Sequence, residues 1–390
     1  MRRTTTVRID ARQVHAHARA WVDQLLTLKD HGHKCTAQRV ISILLIAASR
    51  VCSICAACRD LADAPSDQAL RDALYAGLPG ISRLEKQINQ TLVSGLPRRV
   101  LRHKRVIAGD LILIPYYGLP EHDPSELFHS KQKAGTTRFH GYATACVIHE
   151  GMRYTVALTR VEQGEKMPAI CQRLVRQVRA AGLKIRVFLL DRGFFSVDVI
   201  TYLKRARVPF LMPVAIRGVK AKNKVRRRAG LRGFQTKPTG WYEYTFQGKN
   251  RQKIRICMCA KYRHHKKENR RKLKRYLYGA WNYHASPCVV RELYRKRFGI
   301  ETSYRQAHES RIRTCSRKPA LRLLFFALAL ILRNVWVWLH FTVFAASRGE
   351  HPKLRLDRLR YRRLLSWITS VITTELHDGS LPETQWLPGT

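Results

Sequence analysis

The chain has 390 residues and carries 73 Lys and Arg against 27 Asp and Glu, a formal charge of +46 at pH 7. Hydrophobic residues make up 45% and aromatic residues 9%, which excludes a disordered basic tail because there is ample material for a core. Positive charge in such excess repels itself in a compact chain unless a polyanion offsets it, so the composition predicts a folded protein that handles DNA or RNA.

The first hundred residues alternate apolar and basic positions at helical spacing, with polar breaks at 64–67 and 78–80. This pattern predicts a small helical domain over residues 1–100. Its basic helices are suited to lie against DNA. The start of the chain has no apolar segment of the kind found in a secretory signal, so we expect a cytoplasmic protein with reduced cysteines.

From about residue 106 the pattern becomes strand, strand, strand, helix, strand, helix, strand, which is typical of an α/β fold. A hairpin turn is expected at Glu150-Gly151, and Gly182 and Ser196 have the positions of helix caps. The run KIRVFLL ends in four consecutive apolar residues, as in strands buried on both faces of a sheet.

Residues from about 215 to 280 are strongly basic, and GWYEYTFQG and KIRICMCAKY within them alternate like strands. We interpret this segment as a basic, β-rich insertion. The pattern is then helical over 285–318. The apolar stretch 323–346 is long enough to span a membrane, but Arg333 and Asn334 at its centre favour a buried core helix.

Three carboxylates lie in apolar or ordered segments, where a charged group is expected to have a cation as its partner. Asp191 follows the apolar strand 185–190, and Asp110 lies within the run RVIAGDLILIP, where an unpaired charge is costly. Glu301 shares one helical face with Tyr294, Arg297 and His308 if residues 289–313 form a single helix. Singly, each has an ordinary alternative: an ion pair of Asp191 with Arg192 or with another basic residue, a water-facing Asp110, and a surface pair of Glu301 with Arg297 or Arg305.

Together, the three carboxylates suggest one site for two divalent ions, since hard oxygen ligands suit Mg²⁺ or Mn²⁺ and such ion pairs cleave phosphodiesters. The thiols of Cys52, Cys55 and Cys58 fall on one side of an apolar helix, so we interpret them as core residues, with a zinc site as the alternative.

The order Asp110, Asp191 in LLDRGFF and Glu301 in YRKRFGIE resembles a DDE transposase of a prokaryotic insertion sequence. The spacing of Tyr294, Arg297 and Glu301 is similar to the signature helix of the insertion-sequence-four group. That motif has Lys seven residues after the Glu, where this chain has His308; Arg305 or Arg311 are candidates to replace the lysine.

The resemblance implies an RNase H-like mixed sheet as the core of a catalytic domain over 101–345, interrupted by the β-rich insertion, with 346–390 as a C-terminal tail and candidate dimer interface. It implies that Asp110, Asp191 and Glu301 hold two Mg²⁺ or Mn²⁺ ions, and that Tyr294 and Arg297 meet the terminal nucleotide and phosphate. Trp241 or Trp281 is implied to stack on a flipped base.

The resemblance also implies the partners: double-stranded DNA at the inverted repeats of the element and at the target, bound by a homodimer near the prokaryotic nucleoid, with no membrane. Two other functions stay open from the residues themselves. One is a metal-dependent nuclease on the same core without strand transfer, and the other is a basic DNA-binding protein without catalysis.

Overall fold

The computed structural model describes residues 9–149, 151–216, 230–247, 251–265, 270–344 and 356–376. The turn expected at Glu150-Gly151 includes Glu150, which lies outside this set, as do the basic runs 217–229 and 266–269. Gly151 itself has a φ of +80°, which suits a turn that favours glycine.

The N-terminal segment is helical, as predicted. Four of its helices begin at a polar residue whose side chain accepts a hydrogen bond from the backbone N–H three positions on, the usual way to satisfy a free helix end. Its helices are α1 (Ala11–Leu25), α2 (Ala37–Arg50), α3 (Ile54–Arg59), α4 (Asp67–Gly77) and α5 (Ile81–Ser94). Cys58 on α3 is buried, and Cys52 and Cys55 are half-buried.

A mixed sheet dominates the middle of the chain. Its strands are β1 (Arg105–Pro115), β2 (Phe128–Lys133), β3 (Thr136–His149), β4 (Met152–Val161), β5 (Ile185–Leu189), β6 (Phe210–Pro213), β7 (Gly240–Thr245), β8 (Lys253–His265) and β9 (Arg270–Trp281). In the described residues the order is β2-β3-β1-β5-β6-β9-β8-β7, and β4 also pairs with β3.

The pairing of these strands makes the sheet mixed, as the resemblance implies. β1, β3 and β4 are antiparallel neighbours, whereas β1 pairs parallel with β5, and β5 parallel with β6. The insertion does not form a separate sheet, because β9 pairs with β6 on one side and with β8 on the other. The α/β architecture with a β-rich insertion is therefore confirmed.

Helices α6 (Arg98–Leu101), α7 (Met167–Ala180) and α8 (Val197–Arg205) accompany the sheet. α7 packs on β3 and β4 and buries its apolar stripe there. Gly182 follows it with a φ of +75°, and the Ser196 hydroxyl caps α8 by accepting from the Val199 N–H. Both caps were predicted.

The prediction of a single helix over residues 289–313 is wrong. The structure has two helices, α9 (Pro287–Arg295) and α10 (Gly299–His308), separated by a 3₁₀ turn at Lys296–Phe298. Residues 311–318 are not helical. The helical face that was expected to carry Tyr294, Arg297, Glu301 and His308 is therefore broken between Arg297 and Glu301.

Beyond it lie α11 (Pro319–Thr342) and α12 (Tyr361–Leu376). α11 is long and apolar enough to cross a membrane by length and composition, and 89% of its most apolar 18-residue window is buried inside the protein. Arg333 donates to Gln306 Oε1 at 3.1 Å and Asn334 donates to the Leu92 carbonyl at 3.3 Å, so both central polar groups have partners. The core helix predicted here is present.

The structure divides into two compact units. The helical unit contains Met1–Pro97, Tyr116–Glu126 and Ser303–Thr390, and the sheet unit contains Arg98–Pro115 and Leu127–Thr302. Within the helical unit, α11 packs on α1 and α5, and α12 packs on α1 and α2. Every strand named above belongs to the sheet unit.

Candidate active site

Two aspartates lie next to each other on adjacent parallel strands of the sheet unit, Asp110 in the middle of β1 and Asp191 just after the end of β5. Ala108 on β1 is opposite Leu189 on β5, and Asp110 and Asp191 each follow two residues later. Since side chains alternate along a strand, the two carboxylates fall on the same side of the sheet. Gly109 allows the strands to pack closely here, because a Cβ on it would lie 2.8 Å from Phe188 and 2.9 Å from Leu190.

The Arg297 guanidinium lies between these carboxylates. Its Nη1 is 3.2 Å from Asp110 Oδ2, and its Nη2 donates to Asp191 Oδ1 at 3.2 Å. The side chain of Arg297 is 4% exposed and that of Asp110 is 14% exposed, whereas that of Asp191 is 46% exposed. Asp110 therefore does not face water, and the ion pair considered for Asp191 exists with Arg297 as its partner.

Burial sets the electrostatics of this cluster. It raises the pKa of Asp110 to about 6, while the Arg297 charge and the Leu111 N–H act in the opposite direction. Burial alone would lower the pKa of Arg297, but Tyr294, Asp110 and Asp191 raise it above its ordinary value. The guanidinium is thus a permanent cation, and Asp110 is ionised for the most part at neutral pH.

Tyr294 ties α9 to the end of β5. Its hydroxyl donates to the Leu190 carbonyl at 3.2 Å, immediately before Asp191, and the ring is 3% exposed. The Arg297 guanidinium carbon is 5.5 Å from the centre of this ring and 5.5 Å from that of Phe298. Tyr294 and Arg297 of the signature motif are therefore brought to the two aspartates.

Arg153, which was not predicted from the sequence, contacts the 3₁₀ turn between α9 and α10. Arg153 on β4 donates to the Lys296 carbonyl from Nε at 3.2 Å and from Nη2 at 2.8 Å. A Cβ on Gly299 would lie 1.7 Å from the Arg153 guanidinium carbon, so any larger residue at this position displaces the guanidinium. Among 73 basic residues, Arg153 carries no sequence signal that separates it from the others.

Glu301, in the first turn of α10, is exposed. Among the described residues, no group of three or more His, Cys, Asp or Glu side chains is close enough together to hold a metal ion. The structure thus brings Asp110 and Asp191 together and does not include Glu301 in their cluster.

Arg305 and His308 belong to the helical unit, since the division falls between Thr302 and Ser303. His308 is exposed at the end of α10, but partial desolvation of its ring, with a smaller contribution from Arg311, lowers its pKa below the ordinary value. The imidazole is therefore neutral at pH 7, unlike the lysine that the signature motif has at this position.

Neither tryptophan predicted to stack on a base joins the aspartate cluster. The Trp241 indole donates to the Ala285 carbonyl at 2.8 Å, and His284 and the Arg255 guanidinium lie 5.1 and 4.9 Å from its ring. Trp281 is half-buried at the end of β9, where it pairs with Phe210 on β6. A role of either indole in base stacking stays a prediction.

A cavity of about 700 Å³ lies beside Tyr294 and combines cations with aromatic rings. Its lining includes Arg192, Lys274, Tyr276, Arg291, Tyr294 and Phe298. Arg291 is 4% exposed, its guanidinium carbon is 5.1 Å from the centre of the Tyr276 ring, and its Nη1 donates to Glu292 Oε1 at 2.6 Å. Phe298 is 50% exposed. Arg291 and Phe298 were missed, although both are close to the signature motif in sequence.

Residues 103–335 match the family model described as Transposase DDE domain. The match covers more than half of the chain. The chain belongs to the DDE transposase family. Asp110, Asp191 and Glu301 all lie inside the matched region of this transposase, whose family implies an enzyme of DNA cleavage and transposition. No curated protein matches the sequence.

A cryo-EM structure of the piggyBac transposase, in a synaptic complex with hairpin DNA, has a fold similar to that of this family member. The TM-score is 0.54 with 12% sequence identity, and the alignment covers 97% of this chain and 84% of that chain. At this identity the similarity concerns the fold alone, and it agrees with the RNase H-like α/β class expected from the sequence.

Proposed function

We propose that this protein is a transposase of the insertion-sequence-four group from a prokaryote, and that it acts as a dimer on the terminal inverted repeats of its own element. It cleaves the DNA at these ends and joins the freed 3′ ends to target DNA in the cytoplasm, at the nucleoid. The observation that carries the proposal is the convergence of Asp110 and Asp191, from adjacent parallel strands, on one buried cation.

The two aspartates fit a divalent cation. Their oxygens are hard ligands of the kind that Mg²⁺ and Mn²⁺ prefer, and they already face a positive group from two sides. In the proposal Asp110 and Asp191 hold the metal with Glu301 as the third carboxylate. When bound, a pair of such ions activates the attacking oxygen and stabilises the leaving oxygen of a phosphodiester.

The remaining groups have roles in binding and orienting DNA. Arg297 and Tyr294 contact the terminal phosphate and nucleotide, and the cavity beside them offers cations for phosphate together with Tyr276 and Phe298 for stacking. The excess of 46 positive charges supplies the non-specific part of the affinity. Arg305 and His308 remain predicted DNA contacts, and His308→Lys should strengthen end binding because it restores a charge.

The test is cleavage of DNA that carries the ends of the element, with Mg²⁺ or Mn²⁺. Asp191→Asn and Glu301→Gln should each abolish cutting and retain DNA binding. Asp198→Asn is the matched control, since Asp198 is an exposed acid in the first turn of α8 with no part in the site. Cutting that survives Asp191→Asn would reject the proposed site.

The products separate the three candidate functions. Ends joined to a second DNA identify a transposase, whereas cut ends that are never joined identify a nuclease. Tight binding without cutting under any metal identifies a non-catalytic DNA-binding protein. Light scattering of the complex with end DNA tests the dimer.

A further inference from the structure

Arg297 occupies the place at which the aspartates would hold a cation. The Oδ1 atom of Asp110 already accepts from the Leu111 N–H at 3.0 Å, and its Oδ2 faces the Arg297 Nη1 at 3.2 Å. The Oδ1 atom of Asp191 accepts from the Nη2 of the same guanidinium. A divalent ion that binds through these oxygens therefore competes with Arg297 for them.

Burial makes this competition strong. With only 4% of its side chain exposed, Arg297 is poorly screened by water from the two carboxylates. A buried charge that loses its partner keeps its desolvation cost, so the guanidinium leaves the aspartates only for another anion. Metal uptake and the position of Arg297 are coupled for this reason.

The Arg297 guanidinium has N–H donors that could bind a second anion. Within the described residues its buried Nε has no hydrogen-bond acceptor, and its Nη1 faces Asp110 Oδ2 at 3.2 Å, which leaves one of the two Nη1 hydrogens for another acceptor. Planar guanidinium groups bind phosphate through two parallel N–H donors. A DNA phosphate would therefore satisfy donors that the aspartates leave unused.

The backbone next to Arg297 is held in place, so an exchange of partners concerns the side chain. Arg153 binds the Lys296 carbonyl with two donors and packs directly on Gly299. On the other side, the Tyr294 hydroxyl is bonded to the Leu190 carbonyl. These contacts fix both flanks of the 3₁₀ turn that carries Arg297.

We propose that Arg297 is a positioning residue that exchanges between two anions, the aspartate pair in the free protein and a DNA phosphate in the complex. The aspartates then take up divalent cations strongly only after DNA has drawn the guanidinium away. This inference rests on the proposed function, because it takes Asp110 and Asp191 as metal ligands. It goes further by making metal binding dependent on DNA, which keeps the free protein from cutting at random.

The test is Mn²⁺ affinity, measured by titration calorimetry and by the electron paramagnetic resonance of free Mn²⁺, on the full chain. Pre-cleaved end DNA is used, so that no turnover disturbs the titration. Without DNA, Arg297→Gln should bind Mn²⁺ at least tenfold more tightly than the wild type. End DNA should tighten Mn²⁺ binding to the wild type at least tenfold and to Arg297→Gln less than threefold.

Two variants serve as controls. Arg205→Gln removes an exposed guanidinium in the last turn of α8, outside the cavity beside Tyr294, and it should behave as the wild type. Arg297→Lys keeps a cation at the site and should keep weak Mn²⁺ binding in the absence of DNA. The wild-type titrations with and without DNA need no variant, so they test the proposal even where Arg297→Gln fails to fold.

The results separate this inference from the proposed function. Equal Mn²⁺ affinity of the wild type with and without DNA, together with loss of binding in Asp191→Asn, would overturn the role of Arg297 and leave the metal site intact. Mn²⁺ binding that is indifferent to Asp191→Asn would overturn both. A Mn²⁺ affinity of Arg297→Gln equal to that of the wild type without DNA would also refute the inference.

Discussion

Replacement of Gly299 by alanine tests the packing that separates α9 from α10. The added Cβ would lie 1.7 Å from the Arg153 guanidinium carbon and 2.0 Å from its Nε and Nη2 atoms, so the guanidinium has to leave. Both of its hydrogen bonds to the Lys296 carbonyl are then lost. The φ of Gly299 is −70°, so the substitution brings no backbone strain of its own.

The magnitude follows from two opposing effects. In a helix, alanine is ordinarily better than glycine by about 1 kcal/mol. Loss of hydrogen bonds from a charged donor costs about 1.5–3 kcal/mol, which outweighs that gain. We therefore expect Gly299→Ala to lower the free energy of unfolding by about 0.5–2 kcal/mol in urea denaturation followed by circular dichroism.

The matched control is Gly193→Ala, because a Cβ at Gly193 meets no atom within 4 Å. Its effect should stay within about 0.5 kcal/mol. A double-mutant cycle sharpens the test, since in an Arg153→Ala background the obstructing guanidinium is gone and Gly299→Ala should cost nothing or stabilise. An equal loss of stability in both backgrounds would refute the assignment of Arg153 as the group that requires glycine here.

Three further predictions address charge, hydrogen bonding and stacking. Burial raises the pKa of Asp110 from 3.8 to about 6, so ionisation of this carboxyl lowers the free energy of unfolding as the pH rises through this window. In urea unfolding at pH 4.5, 5.5 and 7, the free energy of unfolding of Asp110→Asn should therefore rise relative to that of the wild type, by on the order of 2–3 kcal/mol. A difference between the two proteins that does not depend on pH would contradict this. Tyr361→Phe should cost about 1 kcal/mol in the same assay, because the buried Tyr361 hydroxyl lies 2.6 Å from Ser310 Oγ, whereas Tyr262→Phe at a 63% exposed residue should cost nothing measurable. Phe298→Ala should weaken the binding of end DNA by about 1–3 kcal/mol in fluorescence anisotropy. Trp241→Phe should leave this binding unchanged, because the indole already contacts Ala285, Arg255 and His284. A larger loss of binding in Trp241→Phe than in Phe298→Ala would identify Trp241 as the stacking residue.

Strongly patterned segments could be predicted from the sequence. The apolar run before Asp191 identifies β5, and the apolar, β-rich run around Asp110 identifies β1. Once these are parallel neighbours, their shared register brings the two acids together. The edge strand β2 was missed because FHSKQK is polar and mostly exposed, which leaves no alternation to detect.

The contact that holds the 3₁₀ turn after α9 could not be predicted, since it is made by Arg153, more than 140 residues earlier in the chain. The contacts of Trp241 could not be predicted either, because its partners also lie at other positions in the chain. Contacts between distant segments carry no periodic signal in the sequence.

The helical unit has its core completed by a segment from the far end of the chain, and this constrains how the protein folds as it is made. α1 and α5 pack on α11, yet roughly 220 residues lie between Ser94 and Pro319. At about 5–20 residues per second, the ribosome needs about 10–45 s to supply α11 after α5 has emerged. Throughout this interval Leu84, Ile88 and Leu92 on α5 lack a final partner, so nascent chains should engage chaperones, and messages truncated before α11 should yield aggregated protein.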